Sequence, residues 1–306
     1  MNQFLNRQKR IGILRGGGGH YHSKSLEDGG NFIAYVIENL YPKWKPVDIY
    51  VDGDDNWHMS GLPILPAALS GKVDVIWNTI PARYNKLLSD LSIPQVGNSV
   101  FASLIQKNKE AFSGFAKQNG IKTPRKVVFP VYQSDFDGNQ QEYILVKAKE
   151  VWQKFSPPWV VRSFNIDKNV AVRVAKTFPD LVEAITEMVW HGDSILVEEL
   201  ISGKPITTHS VLGFRGEDLY HFPTTSPYQL TKEEKESLRE ATTKIHQTIG
   251  GHYLKADFVI NPKTGIHLVD FNLEPDYREN SHFSDACKSV GARPSSVISH
   301  IFERVL

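Results

Sequence analysis

Short apolar runs, separated by polar turns and by stretches of helical spacing, organise the N-terminal third of the chain. Residues 11–14 form an apolar run that predicts a buried strand, and four glycines follow at 16–19. The segment 31–40 repeats apolar residues at helical spacing, and the runs at 47–53 and 73–80 predict two further strands. Strand, loop, helix and strand in this order are typical of an open α/β sheet.

The middle of the chain changes character after SIPQVGN (92–98), which indicates a domain boundary. Residues 100–120 predict one helix, because Gly120 and the nearby Pro124 form a stop signal. The polar stretch DFDGNQQE (135–142) is interpreted as a loop. Four strands and one helix complete this part, in the order KVVFPV, WVVRSF, AVRVAK, PDLVEAITEMVWHG and SILVEEL.

The last third of the chain ends in a hairpin and a helix. It begins with two predicted strands, ITTHSVLG and DLYHFPTT, and continues with a long charged helix. Thr231 and Glu234, at the start of that helix, are spaced as a capping box. The hairpin and a last amphipathic helix near SSVISHIFERVL follow.

Composition and charge exclude several classes of protein. Of the 306 residues, 41% are hydrophobic and 23% are charged, which is ordinary for a folded soluble protein. The formal net charge of +1 gives no sign of a nucleic-acid or membrane surface. The single cysteine, Cys287, rules out an internal disulfide and fits a reducing compartment. Since the first ten residues resemble no signal peptide and no apolar run approaches a membrane span, we expect a cytoplasmic protein.

The stretch YLKADFVINPKTGIHLVDFNLEPD (253–276) carries the strongest chemical signal. Two alternating runs flank the turn sequence NPKTG, which predicts a hairpin. Because side chains two apart on a strand share a face, one face of the hairpin is polar. A turn centred between Lys263 and Thr264 makes that face a square of Lys255, Asp257, Asp270 and Asn272, with Asp257 opposite Asp270. The other face carries Ala256, Phe258, Val269 and Phe271, which are expected to face the core.

Three oxygen-bearing side chains beside a lysine suit a divalent cation. Paired carboxylates repel each other unless a positive charge neutralises them. Mg²⁺ prefers oxygen ligands and often shares its site with substrate phosphates. The hairpin therefore predicts a magnesium site at Asp257, Asp270 and Asn272, and the alternative is a solvated hairpin face with an accidental charge pair.

The hairpin and four further segments together resemble the ATP-grasp family, and within it the D-alanine–D-alanine ligases. GGGG…SLEDGG (16–30) is similar to the family's N-terminal glycine loop, and NKEAFSGFAKQNGIKTP (108–124) to its lysine-bearing helix. PPWVVRSF (157–164) resembles its Pro-x-Val-Val-Lys-Pro strand, and ILVEELISG (195–203) its adenine hinge. KADFVINPKTGIHLVDFNLEPD (255–276) resembles its metal segment, Arg-x-Asp…Glu-x-Asn-x-x-Pro-Gly. The likeness covers nearly the whole chain in the right order.

The resemblance implies an α/β protein with the ATP-grasp fold and an N-terminal open α/β lobe. The implied domains are an N-terminal lobe at 1–98, a central lobe at 99–204 and a C-terminal lobe at 205–306. It also implies an ATP-dependent carboxylate–amine ligase, in which ATP phosphorylates a carboxylate and an amine attacks the acylphosphate to leave an amide. ATP and Mg²⁺ (or Mn²⁺) are the implied cofactors. Small carboxylates and amines are the implied partners, without nucleic acid or membrane, and related ligases are often homodimers.

The resemblance also assigns roles to residues at matching motif positions. For ATP, Lys109 and Arg162 are implied at the phosphates, and Glu198, Glu199, Leu200 and Ile201 at the adenine. Arg162 stands where the family has lysine, and Lys255 where it usually has an arginine that stabilises the transferring phosphoryl group. Asp257, Asp270 and Asn272 are the implied metal ligands, Asp270 in place of a glutamate. The implied substrate residues are Gly18, Tyr21, Lys168, Asp276 and Ser281.

The departures from the family lie where its amino-acid substrates would bind. Tyr21 stands in place of the glutamate that receives the first ammonium group, and DKNVA (167–171) replaces a loop rich in glycine and serine. Asp276 replaces a glycine whose N–H would face the developing oxyanion. These changes predict an altered substrate and a poor or absent activity on D-alanine. The alternative is a nucleotide-binding or regulatory protein that has lost ligase chemistry, although the retained hairpin square argues against it.

Two other interpretations of GGGGHYHSKS (16–25) are disfavoured. His20 and His22 could bind a metal, but no third ligand is evident nearby. A dinucleotide-binding Gly-x-Gly-x-x-Gly motif needs glycine at its sixth position, where Tyr21 or His22 stands, so a dehydrogenase is excluded. We expect the loop to frame the pocket of the first substrate.

Overall fold

The protein is described here by a computed structural model that covers residues 8–19, 21–80, 83–97, 99–164, 172–192 and 194–306. The chain forms two compact units. The first comprises residues 1–121, 205–258 and 268–306, and the second comprises residues 122–204 and 259–267. The division into three lobes at residues 98 and 204 stays a prediction.

A six-stranded sheet with the order β4-β3-β2-β1-β5-β6 lies in the first unit. Its strands are β1 (Lys9–Gly16), β2 (Trp44–Val51), β3 (Trp57–Met59), β4 (Leu62–Pro63), β5 (Val75–Asn78) and β6 (Gln95–Val96). β1 pairs in parallel with β2 and β5, and β5 with β6, whereas β3 and β4 are antiparallel additions. The predicted open α/β sheet is therefore confirmed. Helices α1 (His22–Asn39) and α2 (Arg83–Asp90) follow β1 and β5 along the chain.

The region predicted as one helix over 100–120 contains two, α3 (Val100–Lys107) and α4 (Lys109–Gln118). The break falls at Asn108, whose backbone is extended and whose side-chain oxygen accepts hydrogen bonds from the N–H groups of Glu110 and Ala111. Asparagine favours this capping position because its side chain satisfies N–H groups that have no partner inside the helix. The single-helix prediction is wrong at this residue.

The second unit contains an antiparallel sheet with the order β7-β10-β8-β9. Its strands are β7 (Lys126–Phe129), β8 (Trp159–Ser163), β9 (Arg173–Ala175) and β10 (Ile195–Glu199), and its helices are α5 (Ser134–Asp137), α6 (Gln140–Lys154) and α7 (Phe178–Trp190). The loop predicted at 135–142 is wrong, because it contains α5 and the first turn of α6. Trp159, Ile185 and Val197 lie in the core between this sheet and its helices.

The third sheet has the order β12-β11-β13-β14. Its strands are β11 (Lys204–Leu212), β12 (Leu219–His221), β13 (Tyr253–Asn261) and β14 (Gly265–Asn272), and the helices of this part are α8 (Lys232–Ile249), α9 (His282–Ser289) and α10 (Pro294–Val305). The predicted capping box of Thr231 and Glu234 is confirmed at the start of α8. The predicted hairpin is also confirmed, as β13 and β14, with a turn held by the Asn261 side chain.

Aromatic side chains fill the largest core of the first unit. Phe32 of α1 stacks on Trp77 of β5, with ring centroids 3.9 Å apart, and Phe302 of α10 packs against both Trp44 and Trp77. Trp44 also donates its indole N–H to the Ser299 hydroxyl at 2.9 Å. The C-terminal helix is thereby fixed to the six-stranded sheet, since a buried aromatic group contributes both apolar area and a preferred contact geometry.

Candidate active site

The glycine loop after β1 needs glycine for its backbone conformation. Gly16 has a φ of +93°, and a Cβ there would lie 2.2 Å from the Val51 carbonyl oxygen. Gly17 donates its N–H to the same oxygen at 2.7 Å, and Gly16 donates its N–H to the Ser25 hydroxyl at 2.9 Å. A side chain at Gly16 would therefore separate β2 from the loop. The glycine run keeps the loop close to the end of β2.

Polar side chains that sequence reasoning missed surround Gly18. Its N–H donates to the Tyr84 hydroxyl at 3.4 Å, and that hydroxyl donates to the carboxylate of Asp55. Arg83 donates to Tyr84 at 2.6 Å and to Asp55 at 2.9 Å. Burial first, and the hydrogen bond to Asp55 next, raise the pKa of Tyr84. No spacing rule links these residues to the loop, so only the fold reveals them.

The histidines and tyrosine after the glycines have different surroundings. Tyr21 precedes the first residue of α1 and is 38% exposed. The Nδ1 atom of His22 lies 2.7 Å from the Gly17 carbonyl oxygen, which gives this histidine a local structural contact. His20 lies outside the described residues. Within the described part of the chain, no three His, Cys, Asp or Glu side chains form a group that could hold a metal ion.

The hairpin square is partly assembled in the structure. The Lys255 Nζ lies 3.0 Å from an oxygen of Asp257, and the Thr207 hydroxyl donates to the other Asp257 oxygen at 2.6 Å. The Asn272 side-chain oxygen accepts the Glu274 N–H at 3.0 Å. Lys255 and Asp257 are therefore brought together as predicted, and their charges both act on Asp270.

The pKa of the Asp270 carboxyl group is raised above its usual value. Although the residue as a whole is exposed, the protein atoms around the carboxyl group disfavour its charged form most, and Asp257 raises the pKa further, whereas the Phe271 N–H, Lys109 and Lys255 lower it. Lys109 is the first residue of α4, and its Nζ lies 5.8 Å from the centre of the Phe112 ring. The predicted phosphate-binding lysine and the predicted metal ligand therefore act on each other electrostatically within the first unit.

The predicted metal ligands Asp257, Asp270 and Asn272 fit a divalent cation only in part. Two carboxylates whose charges disfavour each other are the arrangement that such a cation relieves. Against this, Asp257 already pairs with Lys255, and the Asn272 oxygen is engaged by a backbone N–H. One face of the hairpin departs from the prediction, because Val269 is 41% exposed while Phe258 and Phe271 are buried. Alternation fails at Leu268–Phe271, where two exposed residues lie between two buried ones.

In the second unit, Arg162 of β8 and Glu198 of β10 pair with each other. Two guanidinium nitrogens of Arg162 donate to one Glu198 oxygen, at 3.2 and 2.9 Å, and both side chains are less than a quarter exposed. They lie on one face, because Arg162 is directly opposite Leu196 and Glu198 is two residues further along. The structure brings two predicted ATP-binding residues together as an ion pair.

The predicted hinge after β10 is anchored by its own backbone. Glu199 donates its N–H to the Arg125 carbonyl at 2.8 Å, and Leu200 donates its N–H to the Pro158 carbonyl at 3.0 Å. The Glu199 carboxylate accepts two hydrogen bonds from the Arg125 guanidinium, at 2.9 and 2.7 Å, and these lower its pKa. Arg125 was not identified from the sequence. Ile201, the last predicted hinge residue, is partly buried.

The predicted substrate residues after the hairpin form a tight loop. The Asp276 carboxylate accepts hydrogen bonds from the Arg278 guanidinium at 2.7 and 2.8 Å. Ser281 caps α9 by accepting the Ser284 N–H, and its hydroxyl donates to the Asp276 carbonyl at 2.7 Å. The residue Lys168, predicted beside the substrate, lies outside the described residues.

A second carboxyl group that the sequence did not reveal lies in this loop. Glu274 is partly buried against Gly97, where an added Cβ would lie 2.6 Å from a Glu274 oxygen. Burial, and then the charge of Asp28, raise the pKa of Glu274 to about 8. Gly97 has a φ of +124°, so the position is unfavourable for other residues on two grounds. The polar segment NLEPD gives no sign of this burial.

Comparison with known proteins finds D-alanine–D-alanine ligases among the relatives of this chain. No protein-family model matches the chain. The chain is 27% identical over 233 residues to a D-alanine–D-alanine ligase of Halalkalibacterium halodurans, which covers 68% of this chain and 72% of that protein. It is 25% identical over 304 residues to a D-alanine–D-alanine ligase of Desulforamulus reducens. That alignment covers 92% of this chain and 94% of the relative.

Solved structures give the same fold. A D-alanyl-alanine synthetase A of Vibrio cholerae superposes with a TM-score of 0.74 at 16% identity, covering 97% of this chain and 98% of that one. A VanG D-Ala:D-Ser ligase of Enterococcus faecalis superposes with a TM-score of 0.72 at 17% identity, covering 98% and 100%. The predicted ATP-grasp fold is therefore confirmed. None of the helices in the described ranges is long and apolar enough to cross a membrane.

Proposed function

This chain is a D-alanine–D-alanine ligase-like ATP-grasp protein, and we propose that it is an ATP-dependent ligase that joins a carboxylate to an amine. The observation that carries the proposal is the group of charges around Asp270 in the first unit: Lys255 pairs with Asp257 at 3.0 Å, and Lys109, Lys255 and Asp257 all act on the Asp270 carboxyl group. Its relatives along nearly the whole chain are named as such ligases. A cluster of this kind suits a reaction in which every reactant and intermediate carries phosphate or carboxylate charge.

ATP recognition is divided among several residues in the proposal. A solved neighbour, a D-alanine–D-alanine ligase of Bacillus anthracis, was crystallised with ATP, which supports nucleotide binding here. Lys109 and Arg162 would bind phosphate oxygens, and Glu198 would accept from the adenine amino group. Since Arg162 and Glu198 pair with each other, binding must exchange that pair for contacts with the nucleotide. Of the hinge residues, Ile201 would offer its N–H, because those of Glu199 and Leu200 are engaged.

Mg²⁺, or Mn²⁺, would be held by Asp257, Asp270 and Asn272. When bound, the cation would neutralise phosphate charge. Of the chain's own residues, Lys255 would stabilise charge on the transferring phosphoryl group. The Thr207 hydroxyl, which donates to Asp257, would keep that carboxylate oriented.

The carboxylate substrate is proposed to differ from D-alanine. Gly18, Tyr21, Lys168, Asp276 and Ser281 are the proposed substrate residues. Burying an ammonium group without a carboxylate partner is costly, and the Tyr21 phenol carries no charge at neutral pH. The Ser281 hydroxyl is already used as a donor to the Asp276 carbonyl. A first substrate that lacks a free α-ammonium group, or holds it differently, fits these residues best.

A second candidate function is nucleotide binding without ligation, in a regulatory role. The ion pair of Arg162 and Glu198 favours it, because both groups are engaged before any nucleotide binds. The ion pair of Lys255 and Asp257 favours ligation over nucleotide binding alone, since a protein that only binds nucleotide has no need of that pair. The cytoplasmic location and the homodimer stay predictions.

Phosphate release from ATP tests the proposal. Wild-type protein is incubated with Mg-ATP and a panel of D- and L-amino acids, short peptides and N-blocked acids, and ADP and phosphate are measured. Lys255→Gln should reduce the stimulated rate at least about a hundredfold, because it removes a charge used in the transition state. Lys263→Gln, an exposed lysine in the turn of the same hairpin, is the matched control and should keep the full rate. Equal rates in both variants, or no stimulation by any acid, would contradict the proposal.

A further inference from the structure

Side chains bond to the main chain of Phe271, which lies between the proposed metal ligands Asp270 and Asn272. Its strand, β14, is the last in the order of its sheet, and an edge strand needs hydrogen-bond partners from outside the sheet. The Phe271 N–H donates to Asp270 Oδ1 at 2.9 Å, and the Phe271 carbonyl accepts the side-chain amide of Gln106. Gln106 belongs to α3, in the same unit as this part of β14. A helix side chain is therefore bonded to the peptide that joins Phe271 to Asn272.

The Phe271 ring is held by the helix that follows α3. It is stacked on Phe112 of α4, with ring centroids 5.9 Å and planes 10° apart, and the Phe115 ring lies 5.8 Å away. Phe112 and Phe115 are three residues apart, so they lie on one face of α4. Successive side chains of a strand point to opposite faces, so α4 packs on the face of β14 opposite to that of Asp270 and Asn272.

Both helices reach the same strand residue because the chain breaks between them. Gln106 lies in the last turn of α3 and Phe112 near the start of α4, and the backbone of Asn108 between them is extended. On one continuous α-helix, residues six apart would point in directions about 120° apart, since each residue turns the chain by about 100°. The break removes that restriction. The Nζ of Lys109 lies 5.8 Å from the centre of the Phe112 ring, so the same helix pair carries the proposed phosphate-binding lysine.

The surroundings of Gln106 determine what the loss of its amide would do. Gln106 is partly buried and Phe271 is buried, so water would replace the lost donor only incompletely. A main-chain acceptor without its donor favours movement of the strand edge towards water. Asp270 and Asn272 flank this residue, so such a movement would change where their side chains point. Groups that hydrogen-bond around metal ligands control the orientation of those ligands.

We propose that Gln106 is a positioning residue that holds the main chain of β14 at Phe271, so that Asp270 and Asn272 are directed at one divalent cation. The inference rests on the proposed function, because that function places the cation at these two side chains. Gln106 contacts neither cation nor nucleotide in this proposal; it acts through the Phe271 carbonyl. The helix pair that bears Lys109 thereby sets the position of the metal-binding strand.

Hydrogen exchange tests the holding of β14 in the protein without ligands. Gln106→Met keeps the size of the side chain and removes the amide, so peptides that span 268–272 should exchange at least about fivefold faster than in wild type. Gln106→Glu keeps the length but has no N–H group, and should show the same increase. Gln8→Met is the matched control, because the Gln8 amide also donates to a main-chain carbonyl, that of Pro42, at 2.7 Å. It should leave exchange in β14 unchanged, and wild-type exchange in both Gln106 variants would overturn the inference.

Binding of Mn²⁺ tests the consequence for the metal site. Mn²⁺ is titrated into each protein in the presence of ADP, and ADP affinity is measured separately in EDTA. Gln106→Met should weaken Mn²⁺ binding at least about tenfold, as expected when a group that orients a metal ligand is lost, and change ADP affinity less than about twofold. Gln8→Met should match wild type in both measurements.

Two results distinguish this inference from the proposed function. Unchanged Mn²⁺ affinity in Gln106→Met, or an equal loss of Mn²⁺ and ADP affinity, would mean that Gln106 has a merely structural role and would overturn the inference. A wild-type protein that binds no Mn²⁺, with faster β14 exchange in Gln106→Met, would refute the proposed metal site but not the role of Gln106 in holding the strand.

Discussion

Asn108 provides a test of how the fold directs the proposed phosphate-binding lysine. Its side-chain oxygen accepts hydrogen bonds from the N–H groups of Glu110 and Ala111, each at 3.0 Å, and its extended backbone ends α3 before Lys109 begins α4. Asn108→Ala removes both hydrogen bonds and replaces a residue that favours caps with one that favours helix interiors. The variant should therefore lose stability and reorient Lys109.

The expected loss follows from the geometry of the cap. Replacing an asparagine cap by alanine costs about 1 kcal/mol. Since Asn108 is exposed, water can replace part of the lost hydrogen bonding, so the free energy of unfolding should fall by no more than about 1 kcal/mol. In a chain of this size that corresponds to a melting temperature about 2 °C lower.

A matched cap in the other unit separates stability from function. Asn139 caps α6 in the same way, accepting from the N–H groups of Gln141 and Glu142 at 3.0 and 3.2 Å, and it is also exposed. Urea unfolding should show similar losses for Asn108→Ala and Asn139→Ala. Titration with Mg-ATP should show at least about threefold weaker binding for Asn108→Ala only, because its cap sets the first residue of the helix that bears Lys109.

Two results would refute this reasoning. Unchanged stability in both variants would mean that the caps contribute no net free energy. A loss of stability in both, with equal affinity for Mg-ATP, would mean that the break at Asn108 does not determine where the Lys109 side chain points. Asn108→Asp, which keeps an acceptor at the cap, should retain the stability of wild type in urea unfolding.

Three further outcomes are expected. Asp257→Asn should lower ATP turnover at least about a hundredfold while the Mg-ATP dissociation constant changes less, and a variant with full turnover would make the hairpin face structural. Because burial lowers the pKa of His221 to about 4, the folded state binds its proton less readily than the unfolded state, so stability falls as pH drops from about 6.5 towards 4. His221→Gln should remove part of that acid destabilisation, at most about 3 kcal/mol, in urea titrations at pH 7 and 4.5. Phosphate release with D-alanine as sole amino acid should stay well below that with the best acid of the panel, and rapid dipeptide formation from D-alanine would refute the altered substrate.

Periodicity predicted most strands because their burial repeats regularly. In β13, buried residues alternate with partly exposed ones from Leu254 to Asn261, as the sequence pattern requires. The pattern failed in β14, where Val269 is exposed, because two strand residues in succession turn away from the core. A local departure of that kind depends on the partner strand, which the sequence of β14 does not contain.

Helix α6 was missed although its signals were present. Asn139 followed three residues later by Glu142 is an N-terminal signature, and Tyr143, Ile144, Ala148 and Val151 are the buried residues of one helical face. The start of α6 lies inside the polar run DFDGNQQE, which was interpreted as a loop, so the helix was not predicted. The break at Asn108 was missed for the opposite reason, because apolar spacing continues across it while one side chain ends the helix.

The candidate site could be predicted by residue type but not by pairing. The sequence identified Arg162, Glu198 and Asp276 as groups for ligands. It gave no indication that Arg162 and Glu198 meet across two strands, because that depends on the β8–β10 register. Arg278 and Arg125, which neutralise Asp276 and Glu199, are charged surface residues without any motif. Such partners become visible only when the backbone brings them within hydrogen-bond distance.

The transfer of oxygen from carboxylate to phosphate tests the central claim most directly. Wild-type protein is incubated with Mg-ATP and a mixture of amino acids, short peptides and N-blocked acids labelled with ¹⁸O in the carboxyl group, and the released phosphate is analysed by mass spectrometry. An ATP-dependent carboxylate–amine ligase should form ADP and phosphate that carries one ¹⁸O atom for each amide bond made. Unlabelled phosphate, AMP in place of ADP, or no consumption of ATP would contradict the account.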